Sequence, residues 1–396
     1  MLSRFHVKGF RCLRDVELAL SPLTVLIGPN DSGKSSFLDG LFALSRIAQD
    51  GLEKQSQGGG DVWTVGRLDL KAAISGAGRC EMRLGHTGPD GEQLEYRLDM
   101  SVEKDRRVEI DQELIWEAGK RVVWVENDKL EYSPDPKGPK SIMGPDFRRG
   151  RLNSIVSCKE IADPWRERWF GFQPMAMHSF QPQALAAPWP IPLKGPPPLE
   201  VDGGGLAALL DYYLGSERDL FDALEEKLRQ FSPMVEKLQV KPAETSRPIG
   251  TGKQIFFRIK GGSDVPASQA SDGLLFALGF LALVYSPRPP VALLVEEPEN
   301  GIHPDNLEVI MGLFRRLSEG GFGSRPVQVI LTTHSPYLLD LAEPEEVRVV
   351  TRHPEEGTRV VQMSAIPDME EKLRDFKLGE LWTAIGDEAI GQGSGQ

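Results

Sequence analysis

The sequence has few cysteines and no long apolar run, and both absences exclude classes of protein. Its three cysteines, Cys12, Cys80 and Cys158, lie far apart and form no paired motif. Such sparse cysteines argue against a disulfide framework or a cysteine-based zinc site, and they fit a reducing cytoplasm. The longest apolar stretch, residues 273–285, is shorter than the roughly 20 residues of a membrane-spanning helix. We therefore expect a cytoplasmic protein without a membrane span.

The chain also lacks net positive charge. Lys and Arg total 46 against 58 Asp and Glu, which gives a net charge of −12. A protein that holds nucleic acid by bulk charge would be basic. The stretch Lys137–Arg151 is the best local basic patch, and it suits either a solvated loop or a contact with DNA, RNA or a partner protein. No heptad repeat runs through the middle of the chain, so we expect no coiled-coil arm.

What the chain does contain is ordinary globular material. Apolar residues make up 40% and charged residues 26% of it, which excludes a wholly disordered chain. At roughly 150 residues per domain, 396 residues predict two to three domains or one elaborated domain. The 41 glycines and 30 prolines predict long irregular connections.

Short apolar or alternating runs predict strands at both ends of the chain and in its middle. They lie at residues 2–8, 14–20, 23–27, 254–260, 291–295, 327–331, 346–351 and 359–363. Several further alternating runs between about 61 and 132, including 67–74, predict an antiparallel sheet. Residues 133–200 are irregular and rich in proline. Helical spacing appears from Phe37 to about Ala48, at 206–230 within a helical segment of about 203–240, at 273–285, at about 304–318, and near the charged C-terminal end.

The first chemical motif follows the strand at 23–27 and precedes a helix. Its sequence, GPNDSGKS, matches the phosphate-binding loop pattern fully. Glycines let the backbone wrap around a phosphate, and the amides at the N-terminus of the helix attract the anion. The lysine of the motif binds the phosphates, and the hydroxyl of the serine after it is a ligand for Mg²⁺. A glycine turn that only caps a helix would not need this pattern. The predicted nucleotide contacts are Gly28, Pro29, Asn30, Asp31, Ser32, Gly33, Lys34, Ser35 and Ser36, with Ser35 also a metal ligand and the Asp31 side chain pointing outward.

A second motif, Glu-Glu-Pro-Glu, follows the apolar strand at 291–295. Ligands of α/β folds bind at the carboxyl ends of strands. Glu296 is placed to hold Mg²⁺, directly or through water, and Glu297 to polarise the attacking water. A solvated strand end is the alternative, but the phosphate loop in the same chain favours the catalytic interpretation.

Two further motifs fit the same site. His334 follows the strand at 327–331, where a histidine can reach the γ-phosphate or the attacking water. A surface or structural histidine is the alternative. Ser271, Asp272 and Gly273 open the buried helix, and such a helix start suits a phosphate. Ser271 can also be an ordinary helix cap, and these two roles are compatible.

Taken in order, the four motifs resemble the ABC-type ATPase heads of the RecF/SMC/OLD group, within the bacterial AAA family ATPases. The stand-alone RecF-like ATPases are similar over most of the chain. Softer similarity to them lies in the segments Phe172 to Leu185, Asp202-Gly-Gly-Gly, Thr333-His-Ser-Pro-Tyr and Leu378-Gly-Glu-Leu-Trp. The chain lacks the Leu-Ser-Gly-Gly-Gln signature of transporter heads, and Glu296 replaces the usual Walker B aspartate. Gln181 is a weak candidate for the metal-sensing glutamine.

The resemblance implies an α/β fold: a P-loop NTPase core of the ABC-ATPase-head type with a mixed sheet. Residues 1–50 and 266–396 would form this core. An antiparallel β and α-helical lobe, residues 51–265, would be inserted between the phosphate loop and the signature.

The resemblance also implies a dimeric mechanism with ATP and Mg²⁺ as cofactors. Two heads would form a homodimer around ATP, with Ser271 and Gly273 contacting the γ-phosphate bound by the other chain. Hydrolysis by Glu297 would release the pair, and Asn300 and Gly301 would lie at the interface.

Three hypotheses for function follow. The first is an ATP-switched dimeric ATPase in DNA maintenance or anti-phage defence, acting with an effector protein. We expect no nuclease extension, so nucleic-acid processing would need that partner. The second is the nucleotide-binding subunit of a transporter, which the missing signature and the long middle lobe disfavour. The third is a scaffold that senses ATP and hydrolyses little of it. Glu297 argues against this third hypothesis, because a scaffold without turnover would not need the second acid.

Overall fold

The protein is described by a computed structural model. It covers residues 1–52, 54–57, 60–65, 68–74, 76, 78–88, 91–102, 108–126, 129–132, 140–143, 175–192, 195–246, 249–287, 289–320, 325–353 and 355–384. Apart from residues 140–143, the basic stretch Lys137–Arg151 lies outside these ranges. Residues 172–174, the start of the segment that is similar to the RecF-like ATPases, also lie outside the described ranges. So does most of the proline-rich region up to residue 174.

The described strands follow one another along the whole chain. They are β1 (Leu2–Phe10), β2 (Leu13–Ala19), β3 (Leu23–Ile27), β4 (Lys54–Gln57), β5 (Gly60–Val65), β6 (Leu68–Asp69), β7 (Arg79–Thr87), β8 (Gln93–Val102), β9 (Val108–Glu117), β10 (Lys120–Glu126), β11 (Lys129–Tyr132), β12 (Lys140–Met143), β13 (Met175–His178), β14 (Trp189–Pro190), β15 (Val235–Ser246), β16 (Ile249–Ile259), β17 (Asp264–Pro266), β18 (Ala292–Glu296), β19 (Gln328–Thr333), β20 (Val347–His353) and β21 (Gly357–Gln362).

The described helices lie between these strands along the chain, apart from the last one, which follows β21. They are α1 (Lys34–Asp50), α2 (Leu70–Ile74), α3 (Pro182–Leu185), α4 (Leu206–Ser216), α5 (Arg218–Phe231), α6 (Asp272–Val284), α7 (Pro304–Ser318), α8 (Pro336–Leu339) and α9 (Met369–Lys372). Residues 378–384 are also helical. None of the helices in the described ranges has the length and apolar composition needed to cross a membrane.

The core sheet has the strand order β13-β18-β19-β3-β20-β21. Its first five strands are parallel, and β21 is antiparallel to β20. All residues of β3 and β19 are buried, as expected for parallel strands covered on both faces. The predicted α/β fold with a mixed sheet is therefore confirmed.

Alternation along the core strands divides the interior into two clusters. Val25 and Ile27 of β3 pack with the helical layer that contains α4, α5, α6 and α7. Leu26 of the same strand packs with α1 and with the antiparallel sheet, as does Leu294 of β18. The core sheet is thus the middle layer between two covers, which is the usual way to bury both faces of a parallel sheet.

The antiparallel sheet has the order β12-β11-β10-β9-β8-β7-β1-β2. It includes most of the strands predicted between 61 and 132, but it also takes in residues 2–19 through the pairing of β1 with β7. Conversely, β13 comes from the middle of the chain and joins the core sheet. The division at residues 50 and 265 stays a prediction about domains, and the sheets cross it.

Two local predictions were wrong. Residues 70–74, expected as a strand, form α2, because Leu70, Ala73 and Ile74 are buried at helical spacing. The helical stretch expected to reach residue 240 ends at Phe231. Pro233 follows closely and cannot continue a helix, and β15 then pairs with β16 along its length.

A buried glutamine connects the core sheet to the antiparallel sheet. Gln328, at the start of β19, is 1% exposed. Its Oε1 accepts a hydrogen bond from the Leu2 amide at 2.9 Å. Its Nε2 donates to the carbonyl oxygens of Leu2 and Ser21, both at 2.9 Å.

Replacing this glutamine should destabilise the protein. Gln328→Leu removes three hydrogen bonds and leaves buried backbone groups unpaired, so we expect the free energy of unfolding to fall by about 2–3 kcal/mol. Urea unfolding measures this change. Gln183→Leu, at an exposed position of α3, is the control and should change stability by less than about 0.5 kcal/mol. Equal effects of the two substitutions would contradict this role of Gln328.

Candidate functional site

Three predicted motifs leave the core sheet at the same edge. β3 ends level with β19, because Ile27 lies opposite Thr333. β18 ends level with β19, because Glu296 lies opposite Thr332. Since these strands are parallel, the segments that follow them start side by side. These segments carry the phosphate loop, the Glu-Glu-Pro-Glu motif and the histidine motif.

The two glycines of the phosphate loop pack against neighbours that leave no room for a side chain. A Cβ on Gly28 would lie 1.9 Å from the Val350 carbonyl oxygen on β20. Gly33 has φ +113°, and its Cβ would lie 2.8 Å from Thr358 Oγ1 and 3.1 Å from Cys12 Sγ. The turn between β1 and β2 and the β20-β21 pair therefore form the wall behind the loop.

The lining of the loop suits an anion. Lys34 begins α1 and donates through Nζ to the carbonyl oxygens of Gly28 and Pro29, both at 2.8 Å. The Ser32 hydroxyl is buried and has no hydrogen-bond partner among the described residues. No described side chain caps α1, and its first turn has no acidic residue. A phosphate would meet a cation, an unpaired hydroxyl and free helix amides, so the residues present fit the group.

The remaining loop residues border a cleft of about 620 Å³. Asn30, Asp31, Ser35 and Ser36 all line it. The Asp31 side chain is exposed, in agreement with the outward direction expected for an acid in an anion site. Ser35 also lines a smaller cavity that it shares with Glu297. Ser36 is largely buried and contacts Cys12 Sγ through its hydroxyl at 3.4 Å.

Glu297 occupies a strained turn at the end of β18. Its φ is 45°, in the left-handed region that side-chain-bearing residues rarely adopt. Its amide donates to the Thr332 carbonyl oxygen at 3.0 Å, which holds the turn against β19. Backbone strain of about 1–3 kcal/mol is typical of functional sites. The turn carries the Glu297 carboxylate to the border of both cavities, while Glu296 lines the smaller one.

The structure places His334 beside Glu297. Its Nε2 lies 3.5 Å from Glu297 Oε1. The other carboxylate oxygen of Glu297 accepts a hydrogen bond from Asn300 Nδ2 at 2.9 Å. His334 and Glu297 line the same cleft as Lys34. A carboxylate, an imidazole and a lysine ammonium group therefore face one space.

The Ser-Asp-Gly motif lies elsewhere. Ser271 caps α6 by accepting from the Leu274 amide at 3.4 Å, and Ser271 and Asp272 are exposed. A Cβ on Gly273 would lie 2.7 Å from the Gly301 carbonyl oxygen, so the helix start packs on the turn after β18. None of the three motif residues lines either cavity. One chain therefore does not bring this motif to its own phosphate loop.

Comparisons with known proteins find sequence similarity in two parts of the chain. Residues 1–115 match the family described as "AAA ATPase domain". Residues 189–340 match the family described as "AAA domain, putative AbiEii toxin, Type IV TA system". An OLD nuclease from Thermus scotoductus is 55% identical over 38 residues, which are 10% of this chain and 7% of that nuclease. The match thus spans only a small part of its relative.

Solved structures extend the similarity over the fold. The SmcHead bound to the C-winged helix domain of ScpA superposes with a TM-score of 0.55 at 14% identity, covering 91% of this chain and 96% of that one. An SMC head with an extended coiled coil, bound to the C-terminal domain of ScpA from Pyrococcus furiosus, gives 0.48 at 15% identity, covering 94% and 99%. The first likeness shows the fold. Together, these findings support the resemblance of the chain to the ATPase heads of the RecF, SMC and OLD group.

Three residues that the sequence analysis did not predict also border the cleft. Arg11 and Cys12 come from the turn between β1 and β2, and Arg352 comes from β20. Arg11 forms an ion pair with Asp39 of α1, which holds the turn on the helix. The sequence shows the turn between two alternating runs but carries no sign that it would reach the phosphate loop.

The predicted metal-sensing glutamine is not at either cavity. Gln181 is exposed and is the N-cap residue that precedes α3. Its neighbours Ser179 and Phe180 line the smaller cavity instead. These two residues follow β13, whose last residue His178 lies opposite Val295 of β18. Burial lowers the pKa of His178 to about 4, so the imidazole is neutral beside the core sheet.

The residues around Ser35 fit Mg²⁺. One small cavity is lined by the oxygen-bearing side chains of Ser35, Glu296, Glu297 and Asn300. Within the described ranges, no group of three acidic, histidine or cysteine side chains could hold a metal alone. Mg²⁺ is usually held by one or two carboxylates together with substrate phosphates and water. The predicted pair of Ser35 and Glu296 matches that requirement.

A side chain at Gly28 should disrupt the loop. Gly28→Ala places a methyl group against the Val350 carbonyl oxygen, so β20 or the loop must move, and we expect loss of nucleotide affinity by at least about 100-fold. Binding of a fluorescent ATP analogue measures it. Gly215→Ala, at a helical glycine with open space around it, is the matched control and should bind normally. Unchanged binding by Gly28→Ala would refute the close packing.

Proposed function

We propose that this protein is an ATPase that binds ATP with Mg²⁺ and hydrolyses it. The observation that carries the proposal is that Lys34, Glu297 and His334 line the same cleft at the carboxyl edge of the core sheet. Phosphoryl transfer to water needs a site for the phosphates and a group that orients the water. The arrangement supplies both, whereas a passive ATP sensor would not need a carboxylate and an imidazole 3.5 Å apart.

Each residue has a role that follows from its position. Lys34 would exchange the two loop carbonyls for phosphate oxygens, because a phosphate is the stronger acceptor for an ammonium group. Glu297 would accept the proton of the attacking water, and His334 would contact the γ-phosphate or that water. Ser35 and Glu296 would hold Mg²⁺, which would supply positive charge to neutralise the phosphates.

We further propose that a second copy of this chain completes the site. Ser271 and Asp272 are exposed and lie outside their own cleft. They open α6, and the N-terminus of a 13-residue helix attracts anions. In the heads that the chain resembles, this motif contacts the γ-phosphate bound by the partner. A head-to-tail homodimer would thus close around ATP, and hydrolysis would release it.

The cycle would serve as a switch for another protein. The chain has a short stretch of close similarity to an OLD nuclease, and a structure with this fold is an SMC head bound to a domain of ScpA. We therefore propose a role in DNA maintenance or anti-phage defence together with an effector protein. With a net charge of −12, contact with nucleic acid would come mainly through that partner.

Removing the base should separate binding from turnover. We expect Glu297→Gln to lower the ATPase rate by about 100- to 10,000-fold, because the amide cannot accept the proton of water. ATP should then accumulate a dimer, which light scattering would detect as twice the 43.8 kDa of one chain.

The control for this ATP-dependent dimer is Lys34→Ala, which should neither bind nucleotide nor dimerise when ATP is added. A Glu297→Gln protein that stays monomeric at saturating ATP would rule out the dimer. Retained ATP affinity in Lys34→Ala would count against the phosphate loop.

A bulky side chain at the signature should block pairing alone. Ser271→Arg should leave ATP binding by the monomer intact, while its ATPase rate falls by at least about tenfold because the partner site cannot close. Loss of the helix cap costs about 1 kcal/mol, so thermal unfolding must verify the fold. Ser216→Arg, at an exposed helix end, is the control. An unchanged ATPase rate in Ser271→Arg would contradict a role in the partner's site.

A further inference from the structure

The turn after β18 holds the end of β19 through a second carboxylate. Glu299 Oε1 accepts a hydrogen bond from Thr333 Oγ1 at 2.6 Å and another from the His334 amide at 2.9 Å. Thr333 is fully buried, and its Oγ1 also accepts from the Ser335 amide at 2.9 Å. Glu299 is thus bonded to the backbone of the histidine whose imidazole lies beside Glu297.

Stability alone does not account for this arrangement. Glu299 Oε2 is buried and has no hydrogen-bond partner in the described part of the chain. A buried carboxylate oxygen left unpaired is costly, so the site calls for a reason other than stability. A hydrogen bond to the Glu299 carboxylate that holds the backbone of a reactive residue is such a reason. A displacement of about 1 Å at a reactive residue can lower the rate 100-fold.

We infer that Glu299 is a positioning residue for hydrolysis. Glu297 and Glu299 belong to one turn, and they contact His334 at its imidazole and at its amide, respectively. Glu299 thereby fixes the distance between the base and the histidine, while the phosphate loop is held by other contacts. The inference rests on the proposed function, since it concerns the same reaction.

The test separates turnover from binding. Glu299→Ala should lower kcat about 10- to 100-fold, because His334 loses its backbone anchor, while ATP affinity changes by less than about threefold. Glu299→Gln keeps an acceptor oxygen for the amide and should restore most of the rate. Thr333→Val removes the hydroxyl from the same network and should lower kcat in the same way, whereas Thr333→Ser should retain it.

Glu225 on α5 provides a matched control. It is 9% exposed, and its Oε1 accepts from the Leu238 amide at 2.7 Å, but it lines neither cavity. Glu225→Ala should lower the unfolding temperature without changing kcat of the folded protein.

The outcomes are distinct. An active parent protein with unchanged kcat in Glu299→Ala and Thr333→Val overturns the positioning role alone. A fall in kcat that Glu225→Ala reproduces, or one that Glu299→Gln fails to relieve, also overturns it, because either points to general destabilisation or to the charge itself. If the parent protein has no ATPase activity, the proposed function fails first, and this inference fails with it. Unfolding of Glu299→Ala leaves Thr333→Val against Thr333→Ser as the deciding pair.

Discussion

The parallel hydrogen bonding of β3, β18 and β19 is the constraint on which the candidate site depends. It places Ile27, Thr333 and Glu296 near one edge of the core sheet. Residues far apart in the chain are thereby brought to one cleft. A slip of the register by one residue would turn every side chain of a strand to the opposite face of the sheet, and its residues would exchange the two hydrophobic clusters. The burial of both faces therefore fixes the register on which the site depends.

The phosphate loop is closely packed against neighbouring elements of the fold. The β1-β2 turn, β20 and β21 close around Gly28 and Gly33 so tightly that neither position has room for a Cβ. The same antiparallel sheet is joined to the core by the buried Gln328. The turn after β18 and the start of α6 pack against each other at Gly301 and Gly273, so a side chain added at Gly273 would displace one of the two elements. In a closed dimer this contact would link the two sites.

The extent to which the sequence predicted the structure differs between local and long-range features. The phosphate loop, the strand before Glu296 and the strand before His334 were all predicted, because each is a short apolar run that ends in polar residues. Glu299 and Arg11 were not, since their contacts with His334 and Asp39 depend on how distant segments pair. Residues 70–74 were predicted as a strand because five residues are too few to separate the two periodicities. The roles of the predicted site residues stay predictions.

The most direct measurement of the central claim is a structure of the protein with Mg²⁺ and a non-hydrolysable ATP analogue. In that structure, we expect Lys34 Nζ to leave the carbonyl oxygens of Gly28 and Pro29 and to bind the terminal phosphates. We also expect the γ-phosphate to face Glu297 and His334, and Ser271 of a second copy to contact it. A nucleotide bound elsewhere, or a γ-phosphate distant from Glu297, would contradict the proposed ATPase site.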